Sequence, residues 1–351
     1  MIITGDCRTE MKKLITEGFK VQMCVSSPPY WGLRDYGTAS WEGGDAECDH
    51  TISAKDSDHK AVFAERVTRG DRTTCLKCGA KRIDNQLGLE KTLEEYVQNL
   101  VEVFRLVREL LKDDGVLWLN LGDSYSGGGR GGDPKHLKGD NSAAATMESY
   151  KGIPAKNLIG IPWKVAFALQ SDGWILRQDI IWAKPNPMPE SVTDRCTKSH
   201  EYIFLLSKSA KYFYDADAIK EPFCDERMGN PGGAGGGKQY SKNSGRNDAG
   251  SLGTGVWLKG EEYGGRNKRS VWTVATKPYK EAHFATFPPA LIEPCILAGS
   301  RKGDTVLDPF FGSGTTGMVS EKHGREWIGI DLNPKYYELS KNRTAQRNLI
   351  A

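Results

Sequence analysis

The chain has 351 residues, of which 38% are hydrophobic and 26% are charged, and its formal net charge at pH 7 is +3. This composition is ordinary for a globular protein with one large core and a smaller appended module. No apolar run is long enough to cross a bilayer and the first residues lack the apolar core of a signal peptide, so we expect a cytoplasmic protein. The weakly basic charge fits a polyanionic partner without requiring one.

Segments with strand character alternate with segments of helical periodicity along most of the chain. Strands are predicted at 1–4, 21–26, 116–123, 175–186, 200–208, 305–310 and 327–332. Helices are predicted after the first strand, at 93–111 up to the turn Asp113-Asp114-Gly115, at 161–170, at 288–298, after Gly314 and from Pro334. The alternation predicts an α/β fold with a Rossmann-like, doubly wound and mostly parallel sheet.

A polar stretch between Trp41 and Asn85 interrupts this pattern and indicates an inserted subdomain. A small insert with few aliphatic residues needs a cross-link, such as a bound metal ion, in order to fold. Four soft ligands, enough for a closed tetrahedral zinc site, come from two short motifs within it, Cys48-x-His50 and Cys75-x-x-Cys78. His59 is an alternative to His50, and a solvent loop with incidental cysteines is the alternative to zinc. The remaining cysteines form no close pairs, which predicts reduced thiols and not a disulfide framework.

The segment from Asp304 to Thr316 is predicted to be a strand, a tight glycine turn and the start of a helix. Glycines let the backbone approach a ligand at the end of the strand, and the helix N-terminus presents free N–H groups to it. A turn without a ligand shares this geometry, and the spacing is not that of a dinucleotide fingerprint. The next predicted strand ends in Asp331, where an acidic residue accepts hydrogen bonds from ribose hydroxyls, although Asp331 could instead cap the helix that opens at Asn333-Pro334.

The tetrapeptide Ser27-Pro28-Pro29-Tyr30 follows an apolar strand, so it should lie at the carboxyl edge of the sheet. An exocyclic amine on a nucleobase is a poor nucleophile because its lone pair is delocalised into the ring. A side-chain acceptor and a rigid carbonyl can bind both amino protons and turn that lone pair toward a methyl donor. Consecutive prolines fix the backbone without N–H groups, and the tyrosine offers an aromatic face to an extruded base.

The segments SSPPYWGLRDYG and LDPFFGSGTTG together resemble the amino-methyltransferases of DNA, which combine such a tetrapeptide with an F-x-G-x-G turn. The tetrapeptide comes first, as in the permuted β arrangement of that family. The resemblance covers 1–47, 86–212 and 280–351. It implies a class I methyltransferase core with a target-recognition region at 213–279, in a bacterial, archaeal or phage-infected cell. It leaves 48–85 outside the core, and this stretch is the zinc-binding insertion predicted from the cysteine and histidine motifs.

The resemblance also implies roles for individual residues around S-adenosylmethionine and a flipped base. Ser27, Pro28, Pro29 and Tyr30 would bind and activate the base. The cofactor-binding set would be Asp6, Cys7, Thr286, Phe287, Asp308, Phe310, Gly312, Ser313, Gly314, Thr315 and Asp331. The base pocket would be lined by Trp182, Lys184 and Asn186, with packing at the sheet edge as the alternative for Trp182 and Lys184.

In the target-recognition region, basic residues interleaved with Tyr240 and Trp257 suit contacts to phosphates and base edges, although such stretches are usually solvated loops. The predicted DNA-binding residues are Arg227, Lys238, Lys242, Arg246, Arg266, Lys268 and Arg269. Cys295 follows a proline, as in cytosine-C5 methyltransferases, but it lies inside a predicted apolar helix and is interpreted as a core thiol.

Serine at the first position of the tetrapeptide favours cytosine N4 as the methylated atom, with adenine N6 as the alternative. More distant alternatives are methylation of an RNA base or a protein amide, and a zinc-bearing DNA-binding protein with an inactive core. The resemblance implies double-stranded DNA as the partner, with a homodimer and a cognate restriction endonuclease as further partners.

Overall fold

The computed structural model describes residues 1–32, 38–45, 47–50, 74–75, 77–126, 153–222, 265–277 and 287–345. Within these ranges the chain forms a large mixed sheet, a small two-stranded sheet and helices packed on both faces of the large sheet. The predicted α/β class with a mostly parallel sheet is confirmed. No helix in the described residues combines the length and apolar character needed to span a bilayer.

The strands, in chain order, are β1 (Ile2–Thr4), β2 (Val21–Ser26), β3 (Ser40–Glu42), β4 (Lys81–Ile83), β5 (Leu111–Leu121), β6 (Ile175–Ala183), β7 (His200–Ser207), β8 (Val271–Thr273), β9 (Thr305–Asp308) and β10 (Glu326–Asp331). The large sheet has the order β1-β10-β9-β2-β5-β7-β6-β8. Strands β1, β10, β9, β2 and β5 run parallel, whereas β7 is antiparallel to both of its neighbours. The N-terminal strand therefore pairs with the strand that ends in Asp331, as the permuted arrangement requires.

The carboxyl edge of the sheet collects the ends of the parallel strands. Thr4 pairs with Asp331 and Gly329 pairs with Asp308, while Ser26 ends β2 on the other side of β9. At the same edge Leu121 pairs with Tyr202, and Ala183 pairs with His200. The tetrapeptide after β2 and the glycine turn after β9 thus follow adjacent strands and leave the sheet side by side.

The helices are α1 (Cys7–Thr16), α2 (Leu93–Leu110), α3 (Ile161–Ser171), α4 (Pro289–Gly299), α5 (Thr315–Lys322) and α6 (Pro334–Ala345). The first three supply one hydrophobic core, which includes Met11, Tyr96 and Val165. Helix α4 contributes to a second core, which includes Leu291 and Trp118. Apolar residues at three- and four-residue spacing explain why these helices bury one side against the sheet.

The predicted boundary between α2 and β5 differs from the observed one. The helix ends at Leu110 and β5 begins at once with Leu111, which pairs with Val21. The register then shifts before Val116 pairs with Met23. The Asp113–Gly115 segment is therefore an irregularity within the strand, which apolar periodicity cannot distinguish from a turn.

Candidate active site and metal centre

The buried carboxylate of Asp308 joins the two halves of the site. Its Oδ1 accepts hydrogen bonds from Ser26 Oγ at 2.5 Å and from Phe310 N at 3.1 Å, and its Oδ2 accepts one from Thr316 Oγ1 at 2.6 Å. Burial raises the pKa of Asp308 to about 6, although these hydrogen bonds act in the opposite direction. The link between Ser26 and Asp308 spans 282 positions of sequence and fixes the tetrapeptide strand against the glycine turn.

The two glycines of the turn differ in their surroundings. Gly312 and Gly314 both have positive φ, at 48° and 81°. A Cβ on Gly314 would lie 2.9 Å from Ser340 Cβ, whereas a Cβ on Gly312 would meet only the Phe310 carbonyl, at 4.0 Å. The turn is therefore closed against α6 at Gly314 and open at Gly312, as a cradle for a ligand requires.

The other residues of the turn face in different directions. Phe311 is buried and stacks on Trp327 with ring centroids 5.0 Å apart. Ser313 is buried, and its Oγ accepts a hydrogen bond from Arg343 Nη1 at 2.6 Å. Thr315 is buried at the start of α5, and within the described part of the chain its Oγ1 has no hydrogen-bond partner. Of the two phenylalanines, Phe310 is the one that remains partly exposed at the edge.

Asp331 ends β10 beside this turn. Its Oδ2 accepts a hydrogen bond from Gly312 N at 2.7 Å, and its Oδ1 accepts one from Asn333 N at 2.8 Å. Burial raises the pKa of Asp331 to about 6. Each carboxylate oxygen has a further lone pair, so the side chain can bind a ligand hydroxyl while it holds the turn in place. The residue that caps α6 is Asn333, whose Oδ1 accepts a hydrogen bond from Lys335 N at 3.0 Å, so the alternative that Asp331 caps this helix is wrong.

Two residues at the start of α1, Asp6 and Cys7, are predicted to bind the cofactor, and they lie in different environments. Asp6 caps α1 by accepting from Arg8 N and Thr9 N, and it forms a salt bridge with Arg8 at 2.6 Å. Burial raises the pKa of Asp6, but the bonds from Arg8 outweigh it, so the pKa lies below its ordinary value. Cys7 is buried in the core, where burial raises the pKa of its thiol to about 12. Phe287 packs beside the second core, and Thr286 lies outside the described residues.

The tetrapeptide packs against α2 and against the residue that follows β5. Pro28 is buried, Ser27 is half-buried, and the Pro29 carbonyl accepts a hydrogen bond from Tyr96 Oη at 2.9 Å. A Cβ on Gly122 would lie 2.5 Å from the Tyr30 ring, so the ring packs directly on the backbone there. These contacts give the tetrapeptide one fixed conformation at the edge.

A polar network at the Tyr30 hydroxyl was not predicted from the sequence. Tyr30 Oη donates to Glu201 Oε2 at 2.7 Å and lies 3.3 Å from Asn120 Oδ1. Asn120 Nδ2 also donates to Glu201, at 3.3 Å, and Lys184 Nζ is bonded to the other carboxylate oxygen of Glu201. In the sequence, the one indication of this network is that two polar residues, Asn120 and Glu201, occur in otherwise apolar predicted strands.

Of the predicted base-pocket residues, Lys184 belongs to this network and Trp182 contacts Lys184, whereas Asn186 bonds to Thr276. Trp182 is buried, and its Nε1 donates to the Val274 carbonyl at 2.8 Å. Lys184 Nζ lies 4.3 Å from the centroid of the Trp182 ring. Asn186 is exposed and pairs through its side-chain amide with both main-chain groups of Thr276. All three side chains have contacts within the protein, so packing at the edge accounts for part of their role.

Three of the predicted DNA-binding residues lie in the described part of the predicted target-recognition region. Arg266, Lys268 and Arg269 gather around Glu221, with N···O distances of 3.6, 3.4 and 3.4 Å. One carboxylate against three cations leaves a positive excess on this surface, just before β8. Arg227, Lys238, Lys242 and Arg246 lie outside the described residues.

The four predicted metal ligands form one cluster. The ligand atoms of Cys48, His50, Cys75 and Cys78 all lie within 4.8 Å of one another. The Cys48 and Cys75 sulfurs are 3.8 Å apart, and Cys78 Sγ is 3.3 Å from His50 Nδ1. A tetrahedron with Zn–S bonds of about 2.3 Å places its sulfurs about 3.8 Å apart, so the donor set fits Zn²⁺.

The small sheet of β3 and β4 supports this cluster. Its strands pair antiparallel, and Trp41 of β3 stacks on His50 with ring centroids 4.9 Å apart. The Cys75–Ala80 knuckle closes through Cys75 N to the Ala80 carbonyl at 2.7 Å and Gly79 N to the Cys75 carbonyl at 2.9 Å. The sheet begins at Ser40, ahead of the boundary at 48 predicted for the insertion. His59 lies outside the described residues.

Comparisons with known proteins agree with this geometry. A family model described as DNA methylase, covering N6 and N4 methyltransferases, matches residues 21–342. Type II methyltransferase M.SmaI of Serratia marcescens is 42% identical over 347 residues, which are 99% of this chain and 91% of that protein. Type II methyltransferase M.Cfr9I of Citrobacter freundii is 40% identical, over 97% of this chain and 86% of that protein.

Among solved structures, the PvuII DNA methyltransferase, described as cytosine-N4-specific, superposes with a TM-score of 0.54 at 16% identity. The match covers 98% of this chain and 85% of that one, and at this identity it shows a shared fold. The family match spans both the tetrapeptide and the glycine turn, which meet at one edge of the sheet. The chain belongs to the N6/N4 family of DNA methylases.

Proposed function

We propose that this DNA methylase transfers a methyl group from S-adenosylmethionine to the N4 amine of a cytosine flipped out of double-stranded DNA. The observation that carries the proposal is the junction of Ser26 with Asp308, because it holds an amine-binding tetrapeptide next to a ligand cradle. A methyl donor and an amine bound on either side of this junction would be aligned for direct transfer.

The residues of the cradle fit S-adenosylmethionine. Open space at Gly312, the Thr315 hydroxyl with no hydrogen-bond partner found and the N-terminus of α5 without a side-chain cap suit the amino-acid part. The Asp331 carboxylate suits the ribose hydroxyls, and Asp6, which follows the adjacent strand β1 and caps α1, suits the adenine end. When bound, the cofactor supplies a methyl group on a cationic sulfur.

The tetrapeptide would prepare the target nitrogen. Tyr96 occupies the Pro29 carbonyl, so we assign the Pro28 carbonyl and the Ser27 hydroxyl as acceptors for the two amine protons. Binding both protons would direct the nitrogen lone pair toward the methyl donor. The Tyr30 ring, fixed on Gly122, would stack on the extruded base.

The choice of cytosine rests on Ser27, since a neutral hydroxyl is the side-chain acceptor and the nearby Asn120 is also neutral. Incubation with radiolabelled S-adenosylmethionine and unmethylated double-stranded genomic DNA, followed by nucleoside chromatography, tests this choice. We expect the label in N4-methyldeoxycytidine. Label in N6-methyldeoxyadenosine would overturn the choice of base, and DNA without label would overturn the activity.

Two variants separate cofactor binding from transfer. Ser27→Ala should leave the affinity for S-adenosylmethionine nearly unchanged and slow transfer severely, because it removes an amine acceptor and leaves the cofactor cradle intact. Asp331→Ala should instead weaken cofactor binding. Isothermal titration and single-turnover labelling measure the two effects, and an unchanged transfer rate in Ser27→Ala contradicts its proposed role.

We further propose that Cys48, His50, Cys75 and Cys78 hold a structural zinc ion. The near-tetrahedral spacing of their ligand atoms supports this, and so does the exposure of the small sheet, since the three residues of β3 and the three of β4 are exposed or only partly buried. Metal analysis of the pure protein should give one zinc per chain, and Cys75→Ser should lose it. The matched control is Cys196→Ser, which changes an exposed cysteine outside the cluster; equal zinc in Cys75→Ser and wild type would exclude the site.

The type II names of the relatives support a role in restriction–modification, with a cognate endonuclease that cuts the same DNA sequence. The positive surface around Arg266, Lys268 and Arg269 supports a contact between this region and the DNA backbone. The homodimer stays a prediction of the family resemblance.

A further inference from the structure

Glu201 is the point where three elements of the candidate site converge. It is the second residue of β7, and its side chain is only 16% exposed. Its carboxylate accepts hydrogen bonds from the loop after β2, through Tyr30, from β5, through Asn120, and from the residue that follows β6, Lys184. A half-buried carboxylate is costly unless it is paired and hydrogen-bonded, and here both oxygens are engaged.

The contact with Tyr30 restrains the residue expected to hold the base. The backbone at Gly122 packs on one side of the Tyr30 ring, near Cε2 and Cζ, but one-sided packing does not anchor the hydroxyl end. The bond of 2.7 Å from Tyr30 Oη to Glu201 fixes that end. Burial raises the pKa of Tyr30 well above its ordinary value, and the negative charge of Glu201 adds to this effect. The tyrosine therefore stays protonated and keeps donating.

The contact with Lys184 balances the charge of the network. Lys184 Nζ lies between the Glu201 carboxylate and the face of the Trp182 ring, 4.3 Å from its centroid. The cation is thereby directed to the same edge as Tyr30, instead of extending into solvent. One carboxylate thus sets the positions of both an aromatic ring and a cation beside the tetrapeptide.

We propose that Glu201 is a positioning residue for methyl transfer, which acts by holding the Tyr30 ring and Lys184 against the extruded base. The proposal rests on the proposed function, because it assigns Tyr30 to the base. Its role is distinct from packing between β6 and β7, since the part that matters for transfer is the hydroxyl–carboxylate bond. A misplacement of about 1 Å in such a group can slow a reaction by about 10²-fold.

The test uses the full chain with Glu201→Gln, Tyr30→Phe and the double variant, with labelled S-adenosylmethionine and unmethylated genomic DNA. Each single variant should lower the single-turnover rate by about tenfold or more, with cofactor affinity within about twofold of wild type. The double variant should be no slower than the slower single one, because Glu201→Gln removes the charge that strengthens this bond and Tyr30→Phe removes its donor, so both changes act on one interaction. Tyr30→Phe removes one hydroxyl and keeps the ring, so it remains informative if Glu201→Gln folds poorly.

Matched controls come from the opposite edge of the sheet. Asp304→Asn neutralises a carboxylate paired with Lys112 at 2.8 Å, and Tyr212→Phe removes a hydroxyl bonded to Arg177 at 2.9 Å. Both should transfer methyl groups at the wild-type rate.

The outcomes separate the two proposals. A wild-type rate in Glu201→Gln or in Tyr30→Phe overturns the positioning role, and so do two losses that multiply in the double variant. Wild-type protein that binds S-adenosylmethionine but labels no DNA overturns the proposed function instead.

Discussion

Removing the Asp308 carboxylate tests the junction that joins the two halves of the site. Asp308→Ala takes one acceptor away from Ser26 Oγ, Thr316 Oγ1 and Phe310 N at a position where Asp308 is 1% exposed. Ser26 and Thr316 are themselves only 1% exposed, so water cannot easily replace the lost acceptor.

The magnitude follows from two opposing contributions. A buried donor left without a partner costs about 2 kcal/mol, so three of them cost about 6 kcal/mol. Against this, the rise in the Asp308 pKa from 3.8 to about 6 means that the ionised carboxylate costs the folded state about 3 kcal/mol at pH 7. The variant should therefore lose about 3 kcal/mol of unfolding free energy at pH 7.

The loss should depend on pH in a defined direction. Because the pKa of Asp308 is raised in the folded state, this group contributes stability that is fully present below 3.8 and is lost as pH rises through about 6. Alanine does not titrate. The difference between wild type and Asp308→Ala should therefore be larger at pH 5 than at pH 7, by about 1 kcal/mol.

Urea unfolding followed by tryptophan fluorescence at pH 5 and pH 7 measures both quantities. Asp308→Asn is the matched control, since it keeps one acceptor and should lose much less stability than alanine. A loss below about 1 kcal/mol in Asp308→Ala at pH 7, or a smaller loss at pH 5, would refute the assignment of Asp308 as the buried junction.

Three further results are expected. Gly314→Ala should weaken S-adenosylmethionine binding at least about tenfold in calorimetric titrations. The added Cβ would lie 2.9 Å from Ser340 Cβ, and residue 314 has a φ of 81°, which a residue with a side chain rarely adopts. Wild-type affinity in this variant would argue against a closed turn. The affinity for S-adenosylmethionine should fall as pH drops through about 6, because the Asp331 carboxylate becomes protonated there and ceases to accept from ribose hydroxyls. Binding titrations from pH 5 to 8 measure this fall, and in Asp331→Asn the affinity should not change with pH. Gly122→Ala should displace the Tyr30 ring, since the added Cβ would lie 2.5 Å from it, and should slow single-turnover transfer with little change in cofactor affinity; an unaffected rate would mean that the ring position does not matter.

Much of the fold was predictable because strands and helices alternate with clear apolar periodicity. The pairing of Ile2–Thr4 with the strand ending in Asp331 followed from the motif order, and the structure has it. The cluster of Cys48, His50, Cys75 and Cys78 followed from ligand spacing, since two short motifs with soft ligands have few other uses. These predictions depended on local patterns that survive folding unchanged.

The parts that were missed depend on contacts between distant segments. Glu201 and Asn120 looked like single polar residues in apolar strands, and only the antiparallel register of β7 brings them to Tyr30. The side-chain contacts of Trp182 and Asn186 were equally invisible, because their partners lie about 90 positions away in sequence. Sequence motifs identify which residues can take part in catalysis or binding, but the register of the sheet determines which of those residues are in contact.

The electrostatics of the edge indicate where the rate of the proposed reaction comes from. Methyl transfer from a sulfonium ion to an amine moves a positive charge over a short distance without creating a new one. Carboxylates such as Asp331 and Glu201 would therefore stabilise the charged reactants about as well as the transition state, which strengthens binding more than it lowers the barrier. The acceleration must come largely from alignment, through a nitrogen held by two acceptors and a base held by a fixed ring. On this reasoning, variants that keep every charge but loosen Tyr30 should lower kcat, whereas Asp331→Asn should act mainly on cofactor affinity.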